Sequence, residues 1–497
     1  MLGLLALAVV GQTNPTCPLL RPVFPPVRVG LNNSAVIKDA VTQLGDLMGE
    51  VVKNGTNTTF YVQAFSGTDK LYSYGYAPPS TADSLTSGSL DENTVFRIGS
   101  VSKLLTVYTF LAEIGMKPLS DPITKWVPEL ANVAKHPEFF AGITNRKALP
   151  LTSTSNTPIY SNIGYQILAY ALEAMTNKTF EESFSSSLLN PLGLKHTTLE
   201  APKNDSNAVI PKNKATSWWD LTLAGASPYG GMFSTAADLM TLGQSMLRST
   251  ILPDHVTRAW LKPLSHTSEL QMSVGMPWEI RRILLPVSPA SNQARVVDLY
   301  TKNGMLGAYS SLFVLSSDHD FGFVLLLAGK SSGLDLLPVL PGLVTQTMLP
   351  ALEEAARSKA KATFAGEYES AHGKLVVGVD DVLPGLVVRN WTRGAVDVLQ
   401  TFQDIFAMGF AGLRLYPAGI EGNGTVRFRG VYENRREVPS SGNVDPWTDL
   451  CMSWGGVEAI KYGNIGIDDF EFKLDGNGNV LGITPRVWKE LLPKVKK

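Results

Sequence analysis

A serine and a lysine lie three positions apart at the start of a segment with helical periodicity, Ser100 to Gly115. On a helix, Ser100 and Lys103 share one face, so the amine can exchange a proton with the hydroxyl. The unpaired N–H groups of a first helical turn favour an attacking oxygen and the oxyanion that it produces. A lysine acts as the base for a serine only if burial or nearby cations lower its pKa. The pair therefore predicts a serine nucleophile.

The same spacing at Ser358 and Lys361 falls in a charged segment and indicates a solvated helix face, so the pair alone is not specific. Two further polar motifs follow Lys103 along the chain. The first is Tyr160-Ser-Asn162 and the second is Lys302-Asn-Gly304. Tyr-x-Asn and Lys-x-Gly also occur elsewhere, but no other copies complete an ordered set with Ser100. The interpretation of Ser100 as a nucleophile therefore depends on the order of the three motifs along the chain.

With these motifs the chain resembles the serine β-lactamase and penicillin-binding-protein superfamily, in particular the branch of class C β-lactamases, related esterases and acyltransferases. The resemblance covers about residues 35 to 355. It includes Phe96-Arg-Ile-Gly99 before Ser100, and Gly230-Gly-Met-Phe-Ser-Thr-Ala-Ala-Asp-Leu239. It implies an α/β fold in which helices flank an antiparallel sheet, with an inserted helical region.

Carried over to this sequence, the resemblance implies Ser100 as the acylated nucleophile and Lys103 as its immediate proton partner. Tyr160 would be a second base, because two flanking ammonium groups, Lys103 and Lys302, would lower the pKa of its phenol. Asn162 would hold Lys103 and the substrate by hydrogen bonds. The implied catalytic residues are thus Ser100, Lys103, Tyr160, Asn162 and Lys302.

The resemblance also implies a substrate-binding strand at the third motif. An oxyanion hole would combine the N–H of Ser100 with that of Met305 or a near neighbour, and Gly304 would let the strand approach the substrate closely. The family usually has Thr or Ser where this chain has Asn303, which offers no hydroxyl. This departure predicts better turnover of uncharged acyl esters than of penicillins.

The predicted reaction is attack on a small-molecule ester or amide, with water releasing the acyl-enzyme. An acyltransferase that passes the acyl group to an alcohol or amine in a natural-product pathway stays open, because cleft shape and water exclusion choose the acceptor. A catalytically silent binding protein is a third reading, although the retained serine, lysines and tyrosine argue against it. Trp218 and Trp219 cannot both face one core because they are adjacent, so one of them is expected to contact the substrate.

The composition excludes several other classes of protein. Lys and Arg number 43 and Asp and Glu number 44, so the net charge of -1 offers no basic surface for nucleic acid. The longest apolar run after the N-terminus, Phe321 to Ala328, is shorter than the roughly 18 to 20 residues that span a bilayer. The six histidines form no metal-binding pattern, so neither a metal nor another cofactor is expected.

The length of 497 residues, against roughly 150 for a typical domain, predicts more than one domain. Helical spacing over Ala35 to Val52 and a hairpin around Ser66 to Asp69 open the first unit. Strand signals resume at Ser310, after a region of residues 116–300 that reads as mostly helical and loop-rich. We therefore expect one sheet whose first strands come before a helical region in the sequence and whose last strands come after it.

A charged stretch from Arg357 to Ala362, followed by short alternating runs, marks a boundary. We expect a catalytic domain with a Pro-rich lead-in over residues 12–356. A small antiparallel β domain, either a barrel or a sandwich, is expected over residues 362–497. A helix from Leu337 to Ala356 is predicted to end the first domain.

The N-terminal segment Met1 to Gly11 resembles a secretory signal peptide, which predicts a secreted protein. Seven glycosylation sequons agree with this, and they begin at Asn32, Asn54, Asn57, Asn177, Asn204, Asn390 and Asn423. The two cysteines, Cys17 and Cys451, suit one disulfide in an oxidising compartment, with two unrelated buried thiols as the alternative. The C-terminal β domain and these cysteine positions resemble fungal members of the family.

Overall fold

The structure is a computed structural model, and the residues that it describes are 14–132, 156–222, 227–291, 293–329, 335–406, 410–434 and 453–496. The predicted signal peptide, residues 1–11, lies outside these residues, as does Cys451. Within them, none of the helices combines the length and the apolar composition that crossing a membrane requires.

Helices cover both faces of the first sheet and lead into the second. Their bounds are α1 (Ala35–Lys53), α2 (Ser102–Glu113), α3 (Asn162–Thr176), α4 (Phe180–Phe184), α5 (Asn190–Leu192), α6 (Lys214–Ser217), α7 (Ala236–Leu247), α8 (Asp254–Trp260), α9 (Leu340–Phe364) and α10 (Val398–Phe406). The predicted first helix is confirmed as α1, which buries its apolar residues along one face. The helix expected from Leu337 begins at Leu340 and continues through the charged stretch as α9.

Eleven strands precede α9 among the described residues. Their bounds are β1 (Asn14–Pro15), β2 (Thr58–Ser66), β3 (Lys70–Tyr76), β4 (Phe96–Arg97), β5 (Phe233–Ser234), β6 (Ser265–His266), β7 (Met272–Val274), β8 (Glu279–Pro286), β9 (Gln293–Leu306), β10 (Tyr309–Ser316) and β11 (Phe321–Gly329). The main sheet has the order β3-β2-β11-β10-β9-β8-β7-β6, with β1 paired to β9, while β4 and β5 pair separately. The predicted hairpin is confirmed, because β2 and β3 pair antiparallel.

The main sheet resumes earlier than expected. The C-terminal part of residues 116–300 contains β6, β7, β8 and most of β9, so the mostly helical reading of that part is wrong. Charged side chains interrupt the apolar residues of β8, and Arg282 is held by Asp298 of β9 at 3.0 Å. Pairing with the neighbouring strand stabilises such charges, and a local pattern does not reveal that pairing.

The main sheet separates two apolar layers. On one face, Phe60 and Val62 of β2 pack with α1 and α9. On the other face, Tyr61 and Phe65 of the same strand pack with α2 and α7. Alternate side chains of a strand point to opposite faces, which explains why both faces of β2 are buried. This packing brings the turn before α2 into contact with β9.

A second sheet follows α9 and closes on itself. The strands in this part of the chain are β12 (Gly366–Glu369), β13 (Gly373–Gly378), β14 (Leu386–Arg393), β15 (Val396–Asp397), β16 (Phe410–Gly422), β17 (Thr425–Asn434), β18 (Lys461–Tyr462), β19 (Ile465–Gly466), β20 (Asp469–Leu474), β21 (Val480–Pro485) and β22 (Leu492–Pro493). The sheet has the order β12-β13-β14-β16-β17-β20-β21-β22. The N–H of Val495 donates to the carbonyl of Glu367 at 2.8 Å, and Tyr368 forms a bridge with Lys494. The first and last strands therefore meet, and the arrangement is the barrel rather than the sandwich.

The predicted boundary at residues 357–362 falls inside α9 and not in a linker. The first part of α9 packs against the main sheet, whereas Ala360 and Phe364 pack in the core of the barrel. The ring centre of Phe364 lies 5.2 Å from that of Phe428 and 4.9 Å from that of Phe472. One helix thus serves both cores, and the division at residues 356 and 362 stays a prediction.

The predicted glycosylation and disulfide residues can be placed in part. Asn390 lies partly buried in β14, and its Oδ1 is buried without a hydrogen-bond partner, which corrects the expectation that all seven sequons lie at the surface. The exposed sequon residues are Asn32, Asn54, Asn57, Asn177, Asn204 and Asn423. The Sγ of Cys17 lies 3.6 Å from the hydroxyl of Ser453. A bond to Cys451 stays a prediction, because Cys451 lies outside the described residues.

Candidate active site

Ser100 lies in a short 3-10 turn between β4 and α2. Gly99 has a φ of +48°, and a Cβ at this position would come within 2.5 Å of the amide nitrogen of Met305. Glycine therefore allows the turn to lie directly against β9. The hydroxyl of Ser102 donates to the Gly99 carbonyl at 2.7 Å and accepts from the N–H of Met232 at 3.2 Å. These bonds hold Ser100 at the N-terminal end of α2.

The side chain of Lys103 is buried, and its Nζ lies 2.9 Å from Ser100 Oγ. Nζ also donates to Asn162 Oδ1 at 2.8 Å and to the backbone carbonyl of Tyr229. Burial and, secondarily, the positive charge of Lys302 lower the pKa of Lys103 to about 7, although a nearby carboxylate opposes them. A large fraction of Lys103 is therefore a neutral amine near pH 7, which suits the predicted proton partner of Ser100.

Tyr160 also reaches the nucleophile, because its hydroxyl donates to Ser100 Oγ at 2.5 Å. The Nζ atoms of Lys103 and Lys302 lie 4.9 Å and 5.5 Å from the centre of its ring. The prediction that these groups lower the pKa of Tyr160 is wrong. Tyr160 is 60% exposed as a whole, but its hydroxyl lies against Ser100, and the resulting desolvation raises its pKa. The hydrogen bond to Ser100 opposes the rise, and the negative charge of Glu279 adds to it. Tyr160 is therefore a phenol at neutral pH, suited to donating a proton.

Glu279, the first residue of β8, belongs to the site although the sequence motifs do not reveal it. Its Oε1 accepts from Lys302 Nζ at 2.5 Å. Its Oε2 accepts from the backbone N–H of Asn303 at 3.1 Å and from the side-chain Nδ2 at 2.7 Å. The pairing of Glu279 with Thr301 across β8 and β9 places it there, and no local signal specifies that register.

β9 continues beyond Thr301, the last of its residues that pairs with β8. The backbone edge of this last part of β9 has no partner in β8 and lies beside Ser100. The N–H of Asn303 donates across this edge to a carboxylate of β8, so the N–H of Met305, two residues later, points the same way. A Cβ on Gly304 would lie 2.8 Å from the amide nitrogen of Ser100. The N–H groups of Ser100 and Met305 therefore border one space, which fits the geometry of the predicted oxyanion hole.

The two adjacent tryptophans have different surroundings. Trp219 is 1% exposed, and its Nε1 donates to Asp205 Oδ1 at 2.9 Å. Trp218 is 47% exposed and lies against Gly307, just after the end of β9. The core position of Trp219 corrects its assignment as a substrate-binding residue. Contact with the substrate stays a prediction for Trp218.

The fold brings together residues from three separated motifs and four elements. Those that meet around the nucleophile are Ser100, Lys103, Tyr160, Asn162, Lys302, Asn303, Gly304 and Met305. The backbone carbonyl of Tyr229 joins them by accepting from Lys103. Every residue has such a carbonyl, so the sequence motifs do not predict this contact. In the part of the chain that the structure describes, no three His, Cys, Asp or Glu side chains are grouped so as to hold a metal ion.

Comparison with protein families gives two adjacent matches. A family model described as "Beta-lactamase" matches residues 61–337. A second model, described as "Beta-lactamase-like-like, C-terminal domain", matches residues 356–496. The first match contains the three motifs and the second contains the barrel.

Individual relatives are distant in sequence. The chain is 26% identical over 562 residues to the "Beta-lactamase-like protein" of Arthroderma benhamiae, which covers 91% of this chain and 92% of the relative. It is 26% identical over 268 residues to "Probable hydrolase clz13" of Cochliobolus lunatus, which covers 53% of this chain but only 42% of the relative. Among solved structures, one described as "A class C beta-lactamase" is 17% identical, with a TM-score of 0.47, and covers 64% of this chain and 97% of that chain.

Proposed function

The chain belongs to the beta-lactamase family, and on this basis we propose that it is a serine hydrolase acting on an ester or amide through an acyl-enzyme at Ser100. The supporting observation is that Ser100 Oγ contacts two groups of different proton affinity. Lys103 Nζ lies 2.9 Å away, and its pKa of about 7 leaves much of it neutral. The Tyr160 hydroxyl lies 2.5 Å away and stays protonated, because burial raises its pKa.

In the proposed acylation step, the amine of Lys103 accepts the proton of Ser100 while Oγ forms a bond to the substrate carbonyl carbon. The N–H groups of Ser100 and Met305 stabilise the negative charge on the carbonyl oxygen. The bond to the leaving group then breaks, and Tyr160 donates its proton to the leaving oxygen or nitrogen. The ammonium of Lys103, 4.9 Å from the Tyr160 ring centre, restores that proton.

In the proposed deacylation step, water takes the position that the leaving group has vacated. Tyr160 or Lys103, each then in its neutral state, relays a proton from the water to Oγ while the water oxygen forms a bond to the acyl carbon. The bond between the acyl carbon and Oγ then breaks, which releases the carboxylic acid and restores the hydroxyl of Ser100. Asn162 keeps Lys103 in place by accepting a hydrogen bond from it at 2.8 Å. An alcohol or amine in the position of water would give acyl transfer by the same steps.

Covalent labelling tests the proposal. A fluorophosphonate should add its mass to the peptide that contains Ser100, and Ser100→Ala should lower turnover of 4-nitrophenyl butyrate by about 10³-fold or more. Ser358→Ala is the matched control, because Ser358 precedes Lys361 at the same spacing but donates to Glu354 on α9. It should behave as the wild type. Turnover by Ser100→Ala within tenfold of the wild type would contradict the assignment of Ser100 as the nucleophile. A wild-type protein that neither reacts with the fluorophosphonate nor turns over the ester would favour a binding protein.

A further inference from the structure

Glu279 accepts three hydrogen bonds from the Lys302-Asn303 segment. One carboxylate oxygen accepts from Lys302, and the other accepts twice from Asn303. The side chain of Lys302 is 1% exposed and that of Glu279 is 16% exposed, so water screens this pair only weakly. The Nζ of Lys302 also donates to the backbone carbonyl of Asn303 at 2.7 Å. A substrate carboxylate that took the hydrogen bonds now made to Glu279 would have to displace Glu279.

The positive charges beside the nucleophile are therefore compensated. Among the described residues, the cations in contact with Ser100 or with the Tyr160 ring are Lys103 and Lys302. Lys302 is paired with Glu279, and Lys103 is uncharged when it acts as a base. An anionic group on a substrate would meet the Glu279 carboxylate instead of an open ammonium group, and like charges in a partly buried site repel strongly.

We propose that Glu279 sets the charge preference of the cleft by occupying the place of a substrate carboxylate, so that uncharged esters or amides are selected over anionic ones. This inference rests on the proposed function. Penicillins carry a carboxylate on the leaving side of the scissile bond, so they fall in the disfavoured class.

Three butyrate esters of matched shape provide the test. They are 4-nitrophenyl butyrate, 3-carboxy-4-nitrophenyl butyrate and the methyl ester of that carboxyl group, which controls for size. In the wild type, kcat/KM for the methyl ester should exceed that for the acid by about tenfold or more. Glu279→Gln should bring this ratio close to one or below it, because the charge of Lys302 is then uncompensated and the one amide oxygen accepts fewer of these hydrogen bonds. A charged hydrogen bond to the acid is worth roughly tenfold to 150-fold.

The control variant is Glu269→Gln, which removes an exposed carboxylate that lies 3.8 Å from Arg281. It should leave the ratio at the wild-type value. A wild-type ratio near one overturns the inference, whether or not Glu279→Gln folds. A ratio in Glu279→Gln equal to that of the wild type, with Ser100 still labelled by a fluorophosphonate, also overturns the inference but leaves the proposed function intact. Loss of labelling at Ser100 in the wild type would instead overturn the proposed function.

Discussion

Gly304 lies so close to Ser100 that no side chain fits between them. A Cβ on Gly304 would come within 2.8 Å of the Ser100 amide nitrogen and 2.1 Å of the Ile98 carbonyl oxygen. That carbonyl also accepts from the hydroxyl of Ser311 on β10 at 2.7 Å, which ties the nucleophile turn to the sheet. The position of the nucleophile therefore depends on a glycine in a strand far along the chain.

Gly304→Ala should separate β9 from the nucleophile turn. We expect the rate of fluorophosphonate labelling to fall by about 100-fold or more, as for the loss of one oxyanion donor. The free energy of unfolding should fall by about 1 to 3 kcal/mol, because the added methyl group overpacks the site. Gly230→Ala is the control, since nothing lies within 4 Å of a Cβ at that position. Equal labelling rates for the two variants would disprove the close-contact argument.

The acylation rate should rise with pH through about 7. The neutral amine of Lys103 is the active form, and its fraction increases as the pH passes its pKa of about 7. The rate of fluorophosphonate labelling between pH 5.5 and pH 9 measures this directly. Lys103→Arg should label poorly at every pH, because a guanidinium stays protonated. A wild-type rate that is flat from pH 6 to pH 8, or that rises only near pH 10, would exclude Lys103 as the base.

Local patterns predict the parts of the site that lie within one segment. The spacing of Ser100 and Lys103 is a property of one helix, and the hairpin of β2 and β3 is defined by its own turn. The contact of Glu279 with Lys302 depends instead on the register of two strands. That register depends on packing across the whole sheet, so residue types near Glu279 do not reveal it.

The pKa of Tyr160 is a second property that the residue types of the motifs do not predict correctly. Two flanking lysines suggest a lowered pKa, but the result depends on which charges remain uncompensated. Lys302 is paired with Glu279, and Lys103 is itself buried and often neutral. Desolvation of the Tyr160 hydroxyl therefore decides the direction of its pKa, and the phenol keeps its proton. The roles of the two candidate bases follow from burial, which a motif does not contain.

Glycan occupancy should differ among the sequons in secreted protein. The six exposed asparagines can accept a glycan, whereas Asn390 lies in β14 with a buried Oδ1. Enzymatic deglycosylation in heavy-oxygen water marks each occupied asparagine by a mass shift. We expect such shifts among the exposed sites and an unmodified peptide at Asn390. A glycan on Asn390, or none on any sequon of the secreted protein, would contradict this prediction.

Cys17 should form a disulfide with Cys451 and tie the lead-in segment to the barrel part of the chain. The Sγ of Cys17 lies 3.6 Å from the hydroxyl of Ser453, which in turn donates to the Pro18 carbonyl at 3.2 Å. A bond that closes so long a loop strongly restricts the unfolded chain, so Cys17→Ser should lower the free energy of unfolding by about 2 to 5 kcal/mol. We expect labelling of Ser100 to be unchanged, because Ser453, which lies beside Cys17, belongs to the barrel part of the chain.

Alkylation with iodoacetamide measures the state of both thiols. In unreduced, denatured wild type neither cysteine should react, and in Cys17→Ser the released Cys451 should react fully, which shows that access to the reagent is not limiting. Reaction of both cysteines in the unreduced, denatured secreted protein would rule out the bond. Urea denaturation of the same two proteins gives the stability difference, and equal midpoints with equal slopes would show that the bond, if formed, does not stabilise the fold.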